Sequence, residues 1–404
     1  MKKKIIIIIV LVILFTSFII FGIYLYNYLK VKNAKIEVTL IDNLKLEFND
    51  KKHVSDFIKD INGKIVGDYI IDSTKLGNKN IKFNFINDDN IKVKYDYNIE
   101  IVDTVKPVVW VGSSYTVLKG SDIDLAKKIM CGDNYDNKPK CSIEGNYDLN
   151  SVGKYNLVYK AVDNSGNENN WPFTLNVVEP QQNTNTNYKK VNTKFSDVVD
   201  AYKTDNTKIG IDISQWQGDV DFEKIKNAGV EFVMIRVGYQ KGIDGEYVID
   251  PKFERNIKEA NKYKIKAGIY FYSYANSEKR ARSDAKWVLK QIKDYKIDYP
   301  IAFDWEEWNN FNEFNLSFFG LTNMANVFIE EVENKGYNGM LYSSKSYLES
   351  IWLDNELDIW LAHYTKQTDY KGDYKMWQLC DNGLIDGINS DVDIDILYTN
   401  NDDK

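Results

Sequence analysis

The stretch Tyr299–Trp308 reads YPIAFDWEEW. A proline, Pro300, is followed by the apolar run Ile301-Ala302-Phe303 and then by Asp304, Trp305, Glu306, Glu307 and Trp308. A short apolar run after a turn residue predicts a buried strand. Side chains alternate along a strand, so Asp304 and Glu306 are expected on one face and Trp305 on the other. Two carboxylates at the end of an apolar strand are costly unless they are satisfied or used. The pair is therefore the first candidate for acid/base chemistry.

Working outward, the flanking sequence alternates apolar runs with amphipathic segments from Ile209 onward. Candidate strands are IGIDIS (209–214), FVMIRVG (232–238), KAGIYFY (266–272), IAFDWE (301–306), GMLYSS (339–344), DIWLAHY (358–364), MWQLC (376–380) and VDIDIL (392–397). Helical stretches separate the first five; the last of these stretches ends at Gly336, a C-terminal stop signal. This order predicts a modified eight-stranded α/β barrel. The remaining length of about 195 residues is short for a complete (β/α)8 barrel, so some helices must be reduced.

In such barrels the active site lies at the C-terminal strand ends. Those ends carry Asp212 and Ser214, then Asp304 and Glu306, and on the last strand Asp393 and Asp395. Aromatic residues stand at corresponding places: Trp216, Tyr270, Tyr272, Tyr342, Trp360 and Trp377. Carboxylates ringed by aromatic faces suit a sugar-cleaving cleft. The rings stack on apolar sugar faces, and the carboxylates move protons and stabilise an oxocarbenium-like state.

The motifs GIDISQWQGDVDFEKIKNAGVEFVMIRVG, AGIYFYSYA, YPIAFDWE, MLYSS, IWLAHY, WQLC and VDIDIL occur in this order over about 209–398. In order and spacing this region resembles the glycoside hydrolase family 25 lysozymes, the Chalaropsis-type N-acetylmuramidases. The resemblance implies an irregular TIM-like barrel and cleavage of the β-1,4 bond between N-acetylmuramic acid and N-acetylglucosamine. It implies Glu306 as general acid/base, with Asp304 orienting or stabilising, and brings in Asp212 and Asp393 as the remaining carboxylates. Trp216, Tyr270, Tyr342, Trp360 and Gln378 are the expected substrate contacts. Inverting, retaining and substrate-assisted routes stay open. The last motif is usually Val-Asp-Leu-Asn in the family, and here Asp395 adds an acid. Phe271 stands where many relatives have histidine. No cofactor and no metal is expected. Arg236 is read as binding a carboxylate network inside the barrel, and His363 as structural.

Upstream, the chain predicts further domains. At 404 residues it is too long for one ordinary domain, and 44% hydrophobic with 27% charged residues is globular composition. A net charge of −7 without a long basic run argues against nucleic-acid binding. Two histidines, His53 and His363, leave little room for a His-based hydrolase or a zinc peptidase.

Ile5–Tyr26 is uncharged and apolar apart from Thr16 and Ser17, follows Lys2, Lys3 and Lys4, and ends in an aromatic stretch. Residues 1–33 are read as a cytoplasmic tip and an uncleaved signal anchor crossing the membrane once. Lysines flank both ends, so charge alone does not orient it. The downstream domains place the bulk of the chain outside the cell.

Residues 34–103 and 104–179 read as all-β, with alternating runs broken by Asn, Asp and Gly. IDSTKLGNKNIKFNF around Gly77 matches YDLNSVGKYNLVYKA around Gly153, an offset of 153 − 77 = 76, and IEIVD at 99 matches LNVVE at 175 with the same offset. The pair resembles bacterial Ig-like modules of surface proteins and is read as two sandwich spacers. Their Asp-Asn clusters read as turns rather than calcium sites. Cys131 and Cys141 could form a disulfide outside the cell. Residues 180–207 are read as a linker and 208–404 as the catalytic barrel. The expected partners are peptidoglycan strands of a Gram-positive-type wall, and the membrane. The competing reading is a catalytically weak wall-binding or scaffolding protein on the same fold.

Overall fold

The computed structural model describes residues 2–180, 191–353 and 356–399. The chain divides into two compact units, Met1–Thr104 and Val105–Lys404.

The first unit begins with one helix, Lys2–Lys32. Its portion Ile13–Lys32 is long and apolar enough to cross a membrane by length and composition. A β-module follows. Its central hairpin pairs Gly77–Asn87 with Lys92–Val102, and its edges are Gly63–Val66 and the parallel strand Lys45–Glu47. A two-stranded ribbon, Val38–Leu40 with Ile58–Ile61, completes it. Inward positions Ile81, Phe83 and Phe85 pack with Tyr97, Ile99 and Ile101, the period-2 alternation of a one-sided sheet.

The second unit opens with a module of the same plan. The hairpin Gly153–Val162 with Glu168–Val178 is flanked by Lys140–Glu144 and by the parallel strand Ser114–Leu118. The ribbon is Val108–Trp110 with Met130–Gly132. The repeat in the sequence is thus a repeat in topology, since both hairpin strands start 76 residues apart (153 − 77, 168 − 92). What is observed is a four-stranded sheet plus a ribbon in each module. Cys131 and Cys141 are disulfide-bonded. The Asp-Asn clusters form side-chain-to-backbone turns, such as Asp133 accepting from Tyr135 and Asp136, and Asp163 from Asn167.

Part of the expected linker is structured. Residues 181–190 lie outside the described residues, but Thr193–Lys194 pairs with Gly383–Leu384, and Phe195–Tyr202 is a helix. Phe195 and Val198 bury its apolar stripe in the core of the C-terminal domain.

The eight expected strands form a closed barrel: β1 (Thr207–Ile213), β2 (Phe232–Gln240), β3 (Lys266–Tyr272), β4 (Ile301–Asp304), β5 (Gly339–Ser344), β6 (Ile359–Ala362), β7 (Met376–Leu384) and β8 (Val392–Tyr398). β1 to β7 are parallel in sequence order; β8 runs antiparallel to both β7 and β1 and closes the ring. Helices α1 (Phe222–Asn227), α2 (Phe253–Lys262), α3 (Glu278–Ile292) and α4 (Phe318–Glu333) follow β1 to β4. After β5 only the one-turn α5 (Lys345–Leu348) is present, and among the described residues no helix follows β6 or β7. That is how the short domain still closes.

Alternation sorts the strand residues into two layers. Ile209, Ile211, Val233, Ile235, Ile301 and Phe303 face the helices, while Phe232, Met234, Ala302, Met340 and Trp360 fill the barrel. Gly210 makes room for this filling, because a Cβ there would stand 2.5 Å from the Phe232 ring. Asp221, Ser277 and Ser317 cap α1, α3 and α4 by accepting from backbone N–H groups.

Candidate active site

The site is built around the end of β4. Ile301 and Phe303 face outward, so Ala302 and Asp304 face the barrel interior. Trp305 turns outward, fully buried, and its Nε1–H donates to the Ala275 carbonyl at 3.0 Å. The strand itself ends at Asp304, two residues before its expected end. Glu306 is therefore positioned by the turn beyond the strand rather than by strand parity.

Glu307 is held elsewhere. Tyr272 donates to its Oε1 at 2.9 Å and Asn310 to its Oε2 at 3.0 Å. Asp304 and Glu306, by contrast, are close enough to share a proton. Asp304 is 4% exposed, and its Oδ1 has no hydrogen-bond partner among the described residues. Burial, then the negative charge of Glu306, pushes its carboxyl well above the usual range. Glu306 is open to water on the cleft side but crowded by protein on the others. Its crowding raises its pKa first, the shared hydrogen bond with Asp304 opposes this, and Glu307 adds to it.

Across the mouth, β1 and β8 bring a second acidic group. Strand register sets Asp212 opposite Asp393. Gln378 donates from Nε2 to Asp212 Oδ2 at 2.8 Å, and its own Oε1 accepts from Tyr342 (2.9 Å) and Tyr364 (3.0 Å). Two phenols thus fix the amide, and the amide fixes Asp212. Burial raises Asp212 well above its usual range, with Asp393 and Asp395 adding to the effect. Asp393 is pushed up to about 6, chiefly by burial, against a lowering hydrogen bond from Asp212.

Asp395 lies deeper. Trp360 Nε1–H donates to its Oδ1 at 2.8 Å, while its buried Oδ2 has no partner among the described residues. Burial, then Asp393, raises its pKa well above the ordinary value. As pH rises the unfolded chain loses this proton first, so the carboxyl costs stability increasingly above about pH 4 and not below it. Asp395→Asn keeps an acceptor for Trp360 and offers Asp212 a donor. It is expected to stabilise the C-terminal domain at pH 7 by about 1–3 kcal/mol, with little effect near pH 3. Denaturant unfolding at both pH values checks this; an equal change at both would assign the effect to packing instead.

The structure brings Asp212, Asp304, Glu306 and Asp393 to the same mouth of the barrel, with a different geometry on the last strand. Asp393 was read at a C-terminal strand end; because β8 is antiparallel, it is the start of β8 that lies at the C-terminal ends of the other strands. Of the expected sugar contacts, Trp216 is 72% exposed on the turn Gln215–Gln217, Tyr270 is half-buried, and Tyr342 is nearly buried. Gln378 (2% exposed) and Trp360 (1%) lie inside the barrel, with their polar groups hydrogen-bonded to Asp212 and Asp395. Arg236 does bind a carboxylate, donating from Nε to Asp250 Oδ2 at 2.8 Å. His363 contacts Thr368 Oγ1 at 2.9 Å and lies 3.8 Å from the Asp369 carboxylate. Tyr364, at the rim and half exposed, was missed. Its period-2 relation to Trp360 and Ala362, with a polar tip, was the available signal. Asp250 gave no local signal.

A family model described as glycosyl hydrolases family 25 matches residues 211–388. The chain is 27% identical over 193 residues to YegX of Escherichia coli (strain K12), an uncharacterized protein, covering 46% of this chain and 68% of that one. It is equally 27% identical over 193 residues to an autolytic lysozyme of Clostridium acetobutylicum, covering 46% of this chain and 54% of that protein. Among solved structures, the modular autolysin LytC from Streptococcus pneumoniae, in complex with a synthetic peptidoglycan ligand, is 26% identical with a TM-score of 0.44. The match covers 60% of this chain and 56% of LytC. The chain thus spans little more than half the length of two of these three relatives.

Proposed function

Residues 211–388 form a glycosyl hydrolases family 25 domain, and from that premise we propose that the chain is a peptidoglycan hydrolase, an N-acetylmuramidase held at the membrane with its barrel on the wall side. The observation that carries the reading is the Asp304–Glu306 pair at the mouth of the barrel, with Glu307 tied off by Tyr272 and Asn310. Burial and mutual repulsion raise the carboxyls of such a pair, and a raised carboxyl is what protonation of a leaving glycosidic oxygen requires. Glu306, the member open to the cleft, delivers that proton. Asp304, close enough to share a proton with Glu306, fits neither the ~6.5–9.5 Å gap of an inverting pair nor the ~5–5.5 Å of a retaining one, and its proposed role is to tune and orient Glu306. Asp212 and Asp393, braced by Gln378, offer negative charge to the oxocarbenium-like state. Trp216 and Tyr270 stack on sugar rings.

The location rests on two features. The helix Lys2–Lys32 serves as the anchor, and the Cys131–Cys141 disulfide is chemistry of an oxidising, extracytoplasmic compartment. The test is digestion of purified peptidoglycan by the full chain in detergent, followed by borohydride reduction of the new ends. Muramidase action exposes reducing muramic acid ends, which the borohydride reduces to muramitol. Only glucosaminitol would make the enzyme a glucosaminidase, and no new reducing ends with retained wall binding would favour the scaffolding reading.

A further inference from the structure

The second β-module packs against the segment that follows the proposed acid. Asn312 Oδ1 accepts from the Cys131 backbone N–H at 2.8 Å, and its Nδ2 donates to the carbonyls of Lys127 and Ile129, both at 2.9 Å. The first N–H groups of α4, which no helical carbonyl can reach, donate to the module instead: Phe318 to the Asp133 carbonyl at 2.8 Å and Phe319 to that of Asn134 at 3.1 Å. Gly132 is what allows this approach. A Cβ there would stand 2.5 Å from the Phe318 ring and 2.8 Å from that of Phe311.

An aromatic chain runs from the module to the site. Trp110, on the module's ribbon, packs on Tyr347 of α5 with ring centroids 4.9 Å apart. Tyr347 stacks on Trp308 at 3.9 Å and 17°. Trp308 N–H donates to the Glu306 carbonyl at 2.8 Å, and the Tyr347 phenol feels the Glu306 charge. A spacer needs none of these contacts.

We propose that this module is a working part of the active site: Trp110 and the strand Met130–Gly132 hold the Trp308–Phe318 segment and thereby set the position and surroundings of Glu306. The role given to Glu306 rests on the muramidase reading; the mechanical coupling does not. Trp110 and Gly132 are positioning residues, since neither reaches the reacting atoms. The titratable groups that face Glu306 are Asp304, Glu307, Tyr272, Tyr342, Tyr347 and Asp393. Of these, Tyr347 and, through Asn310, Glu307 belong to the wall that the module supports.

The test uses the full chain in detergent, with the side-chain carboxyls of glutamate labelled with 13C and the Glu306 signal identified by its loss in Glu306→Gln. Freeing the wall admits water to Glu306, so Trp110→Ala and Gly132→Ala are expected to lower its titration midpoint by about half a pH unit or more. Trp110→Phe, which keeps a ring on Tyr347, should titrate like the parent. A half-unit drop leaves about threefold less protonated acid above the midpoint, so peptidoglycan cleavage on the basic side should fall about threefold in both shifted variants. An unchanged midpoint in Trp110→Ala and Gly132→Ala overturns the proposal, even if activity drops, because the drop then reflects fewer folded molecules. A parent that cuts no peptidoglycan but whose midpoint moves as described would sink the hydrolase reading and leave the coupling standing.

Discussion

Glu306→Gln is expected to lower peptidoglycan hydrolysis by about 10²–10⁴-fold, the usual contribution of a general acid, while wall binding is retained. The amide is isosteric and keeps a hydrogen-bonding partner for Asp304, so the cleft should keep its shape; what is lost is a proton that can leave. Glu307→Gln is the matching control. Its carboxylate is engaged by Tyr272 and Asn310, and the amide keeps an acceptor for one of them, so the change should loosen the turn and lower activity by less than about tenfold, the scale of one ordinary hydrogen bond. Both are read by release of reducing ends, with pelleting on insoluble peptidoglycan as the binding measure. Equal activity in parent and Glu306→Gln would remove Glu306 from its role. A larger loss in Glu307→Gln than in Glu306→Gln would move the acid by one residue.

The barrel was legible because central strands buried on both faces read as apolar runs, and the first four helices between them carry a 3.6-residue stripe. Their order in the chain is their order in the sheet, so a residue at one strand end could be placed near those at the next. Two things escaped for physical reasons. A run such as VDIDIL carries no mark of direction, so nothing local said that β8 runs against its neighbours; only closure of the ring decides it. The period-2 pattern also continues through DWE although the ladder stops at Asp304, because side-chain alternation does not report where backbone pairing ends.

Burial in the barrel interior was harder still. Gln378 looks like a cleft residue until the β7–β8 and β1–β8 registers set it beside Asp212, where two tyrosines consume its oxygen. Trp360 likewise looks like a sugar platform, but a full layer of large side chains already surrounds it. Asn312 gave no signal at all. In sequence it is one polar residue in a loop, and its meaning comes from backbone groups some 180 residues away.

Asp304→Asn should separate tuning from direct attack. Asp304 and Glu306 are close enough to titrate as a unit: burial raises both carboxyls above their ordinary values, and the second proton leaves against the charge left by the first. Asparagine removes the negative partner that makes the second loss difficult and puts a neutral donor beside Glu306. Burial, the first cause of the raised Glu306 pKa, stays, but the proton no longer leaves against a neighbouring anion, so the basic limb of kcat/KM should move to lower pH without reaching the ordinary carboxylate range. At neutral pH the expected loss is about 100-fold, with substantial recovery as the pH is lowered and Glu306 is again protonated. Loss of a nucleophile would look different. Activity would stay low at every pH, the limb would not move, and a small anion such as azide would restore turnover by taking the carboxylate's place. The limb position in Asp304→Asn, measured beside the parent over the same pH range, therefore decides which role Asp304 has.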